Sequence, residues 1–305
     1  MRTAFIDQLI QEAEQQDDIF LIVGDLGFSV VEPFAERFPD RFLNVGIAEQ
    51  NMIGVAAGLA LEGYNVYVYS IGNFPTLRCM EQIRYDVAYH DLSVKVVAVG
   101  GGYAYGSLGA SHHATEELGM LRTIPNMIVT APGDPAEARA LTTFSARVRK
   151  PMYIRLGKAG EPKVHVNSIR TISEGEILTI KESETAKVAL MTTGAMLDYA
   201  VRFVENNDID SSVYSCPFVK PIDTAMLLQI GKRYGKIMTL EEHQLSAGFG
   251  SVVVEQLNDL FAQGKLERYP YVVRRAIADR FLSTAGSQQY IRELAGLTLS
   301  VLDFQ

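Results

Sequence analysis

A single glutamate, Glu49, opens an apolar stretch within the run Asn44–Met52. Its neighbours Ile47, Ala48 and Met52 are apolar, so the fold would draw this carboxylate away from water. One interpretation is a charge at a helix start, which stabilises a helix by roughly 0.3–1 kcal/mol. The other is a carboxylate placed in a dry position to handle a proton.

A glycine-rich loop ends in the paired histidines His112 and His113. Five glycines fall between residues 100 and 109, which frees the backbone to bend and to approach a ligand closely. Adjacent histidines on a helix point about 100° apart, and no cysteine or carboxylate stands at ligand spacing. We therefore predict no metal site here and expect substrate contacts or proton transfer instead.

Short apolar runs alternate with helical patterns in the first half of the chain, which predicts a parallel sheet with helices on both faces. The predicted strands are Ile19–Gly24, Phe42–Gly46, Val66–Ile71, Val94–Gly100, Met127–Ala131 and Met152–Leu156. The predicted helices are Ala48–Leu61, Leu77–Tyr89, Thr115–Thr123 and Pro135–Val148. Ligands bind beyond the carboxyl ends of parallel strands, so the loops with Glu49 and His112 should meet at one edge.

A glycine-containing segment from Gly157 is typical of a linker, and the same alternation restarts after it. The second set of strands is Lys187–Thr193, Ser212–Cys216, Lys236–Glu241 and Val272–Ile277. The second set of helices is Met196–Glu205, Thr224–Tyr234, Phe249–Phe261 and Gln288–Leu294. We predict an α/β protein with two doubly wound, mostly parallel-sheet domains, at residues 1–165 and 175–305.

Composition narrows the class of protein. The formal net charge of −8 and the pI near 5.2 argue against a nucleic-acid or membrane-surface partner, because phosphate-rich surfaces need a basic face. The two cysteines, Cys79 and Cys216, lie far apart, which favours a reducing, cytoplasmic setting. No apolar stretch is long enough to span a bilayer.

Taken together, the motifs resemble the carboxyl-terminal half of transketolase, over essentially the whole chain. That half comprises a pyrimidine-binding domain, which binds thiamine diphosphate, and a C-terminal domain. The matching segments are Gly24–Leu26, Asn44–Met52, Met80–Arg84, Ser111–His112, Leu121–Arg122, Ile124–Met127, Tyr153–Arg155 and Gly248–Ser251. The glutamate motif is shared with 1-deoxyxylulose-5-phosphate synthase and with the β subunits of 2-oxo acid dehydrogenases.

The resemblance implies roles for individual residues. Glu49 would bond the aminopyrimidine nitrogen of thiamine diphosphate, and Phe74 or Leu77 would stack on that ring. His112, with His113 beside it, would lie near the hydroxyls of the reacting sugar. Three residues fall on positions that hold a sugar phosphate, and Asp25 falls on a substrate-channel position; the three are Arg2, Ser29 and Arg155.

Two positions depart from the family pattern. Leu108 stands where the family has an aspartate that senses a sugar hydroxyl, and Gly100 stands where it has a second histidine that grips the phosphate. A site with these replacements would not be built for the same sugar. We therefore expect a specialised carbohydrate pathway.

The resemblance does not extend to the amino-terminal domain that holds the diphosphate and magnesium. Gly24-Asp25-Leu26 lacks the third residue of the Gly-Asp-Gly motif, so we do not predict a diphosphate site there. The chain starts just before the first helix of the pyrimidine domain, which we interpret as a natural split. We expect a separate subunit that carries thiamine diphosphate and Mg2+, self-association of this chain and an α2β2 assembly.

The leading prediction is the pyrimidine-domain subunit of a split transketolase, a transferase that moves a two-carbon ketol unit between sugars, with sugar phosphates as the expected substrates. The enzyme alternatives are a 2-oxo acid dehydrogenase β subunit and a 1-deoxyxylulose-5-phosphate synthase-like enzyme; the phosphate-binding positions Arg2, Ser29 and Arg155 speak against the dehydrogenase. An alternative of another class is a non-catalytic paralogue that only scaffolds a partner. The buried Glu49 speaks against it, because an idle desolvated carboxylate is costly.

Overall fold

The computed structural model describes all 305 residues, 1–305, which form two sheets covered by helices. The strands in chain order are β1 (Ile19–Val23), β2 (Phe42–Asn44), β3 (Asn65–Ile71), β4 (Val94–Val99), β5 (Ile128–Thr130), β6 (Met152–Leu156), β7 (Leu178–Lys181), β8 (Val188–Thr192), β9 (Ser212–Ser215), β10 (Phe218–Lys220), β11 (Lys236–Gln244) and β12 (Tyr271–Ile277).

Ten α-helical segments cover the sheets. They are α1 (Arg2–Ala13), α2 (Glu32–Arg37), α3 (Glu49–Leu61), α4 (Met80–Gln82), α5 (Glu117–Arg122), α6 (Pro135–Arg147), α7 (Leu197–Asn206), α8 (Thr224–Arg233), α9 (Phe249–Ala262) and α10 (Gln288–Leu294). The predicted helix over Leu77–Tyr89 is a composite, with a 3-10 turn before α4 and a π-helix, Ile83–Ala88, after it.

The first sheet has seven strands in the order β10-β5-β6-β4-β3-β1-β2, parallel except for β10. Both of its faces are buried. In β3, Val66 and Val68 belong to the core on one face, and Tyr67 and Tyr69 belong to the core on the other. This explains why the strands appear in the sequence as nearly continuous apolar runs.

The second sheet has five strands in the order β12-β11-β8-β9-β7, with only β7 antiparallel. The predicted fold class is therefore confirmed, and every predicted strand is present. Two strands were missed. β7 is a short, partly exposed edge strand, and β10 is three residues between Pro217 and Pro221, where prolines disfavour a strand assignment.

β10 pairs with β5, so a segment from the second half of the chain completes the first sheet. The two predicted domains therefore share a strand contact as well as a hydrophobic core cluster that contains residues of both. Their boundaries at 165 and 175 stay a prediction. No helix is both long and apolar enough to cross a membrane.

Candidate active site at the carboxyl edge of the first sheet

Glu49 is the first residue of α3 and is 1% exposed. Its Oε1 accepts a hydrogen bond from Ser70 Oγ at 3.3 Å, and its Oε2 accepts one from Arg78 Nη1 at 2.9 Å. Gly24 packs beside it, since a Cβ at that position would be in van der Waals contact with Oε1, 3.6 Å away. The carboxylate is thus dry, partnered and at the edge where β1 and β3 end.

Arg78 was not singled out in the sequence, although it follows Phe74 and Leu77 closely. Its side chain is 49% exposed and spans from Glu49 to the Phe74 ring, whose centroid lies 5.3 Å from the guanidinium carbon. Both partners identify Arg78 as part of the site. Only the fold could reveal this, because Glu49 and Arg78 lie 29 positions apart.

A cavity of about 620 Å³ opens beside Arg78 and Phe74. Phe74, Leu77 and Arg78 line one part of it, and Tyr103 and His113 line another. It combines an apolar wall with a few polar groups, which is typical of a small-molecule site. The wall formed by Phe74 and Leu77 is suited to a flat ring.

The two histidines differ in their surroundings. His112 is half-buried, lies edge-on to Phe74 with ring centroids 5.4 Å apart, and shares a 3.0 Å hydrogen bond between Nδ1 and Ser111 Oγ. His113 is 7% exposed, and its Nε2 is buried without a hydrogen-bond partner. Burial lowers the pKa of His113, so its ring is neutral near pH 7. A neutral ring with a free nitrogen suits hydrogen bonding to a ligand.

Asp25 and Ser29 lie in the exposed loop after β1, both with positive φ, 55° and 62°. Asn44 organises this loop: its Nδ2 donates to Asp25 Oδ1 and its Oδ1 accepts from the Asp25 amide, both at 3.0 Å. Asn44 Oδ1 also accepts from the Gly46 amide at 3.0 Å. The loop with Asp25 and the approach to Glu49 are therefore held together.

The arginines predicted to hold phosphate are not equivalent. Arg2 is half-buried, and its Nε has no partner. Arg155 is 6% exposed; its Nε lies 2.8 Å from Glu117 Oε1, and its Nη2 donates to the carbonyls of Ala114 and Glu242. Arg155 would have to leave these partners to bind a phosphate. Its predicted role stays a prediction, and its visible role is to hold loop and strand ends together.

The two departures from the family pattern have different settings. Leu108 is 55% exposed, on the outside of the glycine-rich loop. Gly100 has φ of +87°, and a Cβ there would lie 2.1 Å from the ring of Tyr105. Tyr105 therefore fills the space that a side chain at position 100 would take. Burial raises the pKa of the Tyr105 hydroxyl, and the charge of the nearby Arg2 guanidinium lowers it in part.

A second polar cluster lies at the carboxyl end of β11. Glu241, Glu242 and His243 are all at most 3% exposed. Glu241 accepts from the amides of Phe249 and Gly250, which start α9, and His243 Nε2 accepts from the Gly119 amide at 3.1 Å. This cluster joins the two domains.

Asp134, Glu137 and His165 form the remaining group with metal-ligand character. Asp134 accepts from four backbone amides, two at the start of α6 and two at Val164 and His165. His165 Nε2 lies 2.8 Å from Glu137 Oε1. These bonds tie the linker to α6, which is a structural role.

Comparisons with known proteins assign both halves of the chain to one family. The model for the transketolase pyrimidine-binding domain matches residues 1–161, and the model for the transketolase C-terminal domain matches residues 176–298. The chain belongs to the transketolase family. The predicted resemblance is thereby confirmed.

Relatives in the transketolase family narrow the type of subunit. The chain is 34% identical over 267 residues to one of the subunits of the apulose-4-phosphate transketolase of Phocaeicola vulgatus, covering 85% of this chain and 83% of that relative. It is 31% identical over 305 residues to the SqwH subunit of the 6-deoxy-6-sulfo-D-fructose transketolase of Clostridium sp., covering 98% and 90%.

A solved structure of a split-gene transketolase, an inactive β4 tetramer, is 33% identical with a TM-score of 0.83, covering 97% of this chain and 93% of that one. The chain is therefore similar, over nearly its full length, to separate subunits of split transketolases. This similarity confirms the prediction of a split-transketolase subunit of the transferase type.

Proposed function

We propose that this chain supplies the aminopyrimidine side of a thiamine diphosphate site and works with a partner subunit that holds the diphosphate and Mg2+. The observation that carries the proposal is the buried Glu49 carboxylate, which is joined through Arg78 to a cavity walled by Phe74 and Leu77. A carboxylate acceptor beside an apolar wall fits an aminopyrimidine ring. When bound, thiamine diphosphate supplies the carbon that carries the transferred two-carbon ketol unit.

Each residue of this chain has a task in the proposal. Glu49 holds a proton at the ring nitrogen of the cofactor, Phe74 or Leu77 supports the ring, and Arg78 keeps the carboxylate oriented. His112 and His113 bond sugar hydroxyls, and the loop of Asp25 and Ser29 closes the substrate channel. These tasks follow the family pattern, and their geometry is compatible with it.

The substrates we propose are sugars with an anionic group, such as sugar phosphates, in a specialised carbohydrate pathway. Arg2 supports an anion contact because its Nε has no partner, and Tyr105 lies beside it over Gly100. The names of two relatives give apulose 4-phosphate and 6-deoxy-6-sulfo-D-fructose as their sugars, and both of these carry an anionic group. Leu108 and Tyr105 are the positions at which we expect sugar selection to differ from the common family pattern.

For the assembly, we propose an α2β2 heterotetramer in the cytoplasm, with two copies of this chain in contact. The outward face of α3 supports the contact between copies. Gly54 and Gly58 are exposed there with open space around them, and Ile47 and Leu61 are 79% and 69% exposed. Small residues flanked by apolar ones allow two helices to approach closely.

Reconstitution tests the proposed function. The chain is purified alone and together with a candidate subunit that carries Gly-Asp-Gly and a downstream Asn. Ketol transfer is then measured with thiamine diphosphate and Mg2+. We expect activity only when both chains are present, with both chains eluting as one species. Full activity of this chain alone, or activity with no partner found by co-purification, would contradict the proposal.

A further inference from the structure

Glu242 lies where the second domain meets the glycine-rich loop of residues 100–109. The residue is 3% exposed near the end of β11. Arg292 of α10 grips its carboxylate with two hydrogen bonds, from Nε to Oε1 at 2.8 Å and from Nη2 to Oε2 at 2.7 Å. Gln288 of the same helix donates to Oε2 at 3.1 Å. The carboxylate is therefore oriented by two residues of one helix.

The same carboxylate reaches across the domain interface. The Tyr103 amide donates to Glu242 Oε1 at 3.2 Å. Gly102 has φ of +64°, and a Cβ there would lie 2.5 Å from the Glu242 carboxyl carbon. No side chain fits between them, so the loop backbone and the carboxylate are in direct contact.

The backbone held by Glu242 leads directly to the histidines. Gly102 and Ala114 pair in both directions, with N-to-O distances of 2.6 and 3.0 Å. The ring of Tyr103 meets the ring of His113 edge-on, with centroids 4.9 Å apart. A shift of the Tyr103 backbone would therefore move the wall of the cavity and the surroundings of His113.

A second contact reinforces the first. The Gly286 amide donates to the Gly106 carbonyl at 3.1 Å, and Tyr103 packs in an apolar cluster with Ile277 and Ile291. Both domains thus hold the loop at its beginning and its middle. The neighbouring Glu241 bonds only the amides that start α9, so its task is different.

Charge favours a strong contact at Glu242. Burial raises the pKa of this carboxyl, but Arg292, Arg155 and the Tyr103 amide together outweigh burial and hold the pKa below its usual value. The acceptor of the Tyr103 amide is therefore an ionised carboxylate, and hydrogen bonds to charged acceptors are stronger than neutral ones.

We propose that Glu242 is a positioning residue for the active site: oriented by Arg292, it holds the Tyr103 amide and thereby the glycine-rich loop and the histidines that follow it, His112 and His113. The inference rests on the proposed transketolase function. It gives the second domain a defined part in the reaction, namely to fix the geometry of a loop of the first domain. If Glu242 served stability alone, its ion pair with Arg292 would be sufficient, and its bond to the Tyr103 amide would not affect the reaction.

Two matched double variants separate these roles. Glu242→Leu with Arg292→Met removes the charged pair without leaving a lone buried charge, and it leaves the Tyr103 amide without an acceptor. Glu242→Gln with Arg292→Met also removes both charges but keeps an oxygen in reach of that amide. The two variants therefore differ mainly in the contact with the loop.

Both variants are assayed with the partner subunit for kcat and KM, and hydrogen exchange is measured across residues 100–113. We expect the Leu variant to lose roughly tenfold to a hundredfold in kcat/KM, because misplacement by about 1 Å has costs of this order. Its loop should exchange faster, while the Gln variant should stay within about threefold of the wild type. If the Leu variant does not fold, Glu242→Asp decides instead, since it keeps the charge but withdraws the acceptor.

Each outcome bears on a defined claim. Equal activity and equal loop exchange in the two double variants would overturn the positioning role. An equal loss of activity in both would also overturn it, because the loss would follow the charged pair and not the acceptor. If the wild-type assembly shows no ketol transfer while loop exchange still differs between the variants, the proposed function fails and the loop contact stands.

Discussion

The two sheets end in similar residues but use them differently. At the carboxyl edge of the first sheet, Glu49 is paired with a half-exposed Arg78, and His113 has a buried nitrogen without a partner beside a 620 Å³ cavity. At the corresponding edge of the second sheet, Glu241 receives two hydrogen bonds from backbone amides, and Glu242 receives two from Arg292 as well as one from the Tyr103 amide.

This difference shows what separates a site from a scaffold. Buried polar groups are normally satisfied within the protein, so a group that lacks a partner next to a cavity is a candidate for ligand contact. Glu49 is bonded by Arg78, which lines the cavity, whereas Glu241 and Glu242 are bonded by backbone amides and by Arg292, so we expect these two carboxylates to act on geometry and stability. The comparison predicts that matching substitutions at the two edges will have different consequences.

The largest expected effect is on turnover at the first edge. Glu49→Gln removes the group that handles the proton, and we expect turnover of the reconstituted enzyme to fall by roughly a thousandfold or more. The fold should survive, as judged by an unchanged circular dichroism spectrum. Glu241→Gln is the matched control and should retain most of its activity. Near-wild-type turnover in Glu49→Gln would reduce Glu49 to a charge at a helix start.

The next largest effect is expected on stability, at the contact between Gly102 of the first edge and Glu242 of the second. Gly102→Ala places a methyl group against the Glu242 carboxylate, which we expect to cost roughly 1–3 kcal/mol beyond the backbone strain. Gly264→Ala is the control, because φ there is +71° and its Cβ would meet nothing within 4 Å. Melting temperatures of the two variants measure the difference. Equal melting temperatures would mean that the loop yields easily at Gly102.

A smaller effect is expected on sugar choice. Leu108→Asp restores the polar residue of the family pattern at an exposed position of the loop, and we expect a several-fold shift in kcat/KM towards common ketose phosphates. Ser107→Asp adds the same charge one residue earlier, also at an exposed position, and should leave the preference unchanged. If the ratio of kcat/KM values between donors is identical in all three proteins, position 108 has no part in selection.

The smallest expected effect is on the pH dependence of folding stability, through Glu241 and His243 at the second edge. Burial raises the pKa of Glu241 to about 7 from 4.5, so its contribution to stability is present below pH 4.5 and is lost as pH rises towards 7. Burial and the nearby Arg155 lower the pKa of His243 to about 4 from 6.5, so its contribution is present above pH 6.5 and is lost as pH falls. The two trends oppose each other between pH 4.5 and 6.5.

Replacing Glu241 should make the effect of His243 on the pH dependence of stability visible. In Glu241→Gln, the melting temperature should rise with pH between 4.5 and 6.5 more steeply than in the wild type. The comparison uses the same buffers for both proteins, so that other carboxylates contribute equally. Parallel curves would show that Glu241 titrates normally in the folded state.

Local patterns were sufficient for most of the fold. The strands of the first sheet are buried on both faces, so they appear as apolar runs of the right length, and proline after Asp134 marks the start of α6. β10 could not be predicted in this way. It is short, flanked by prolines, and exists because β5 offers it a partner from far along the chain.

The sequence by itself determined the alternation of strands and helices, the family, and the placement of Glu49 at the start of α3, since each depends on neighbouring residues. Only the tertiary structure decided which groups meet: Arg78 with Glu49, Tyr105 over Gly100, Arg155 with Glu117, and Glu242 with Tyr103. The physical reason is that a hydrogen bond or an ion pair depends on distance in space. Residues that are not neighbours in the chain become partners only when the folded backbone brings them within about 3 Å.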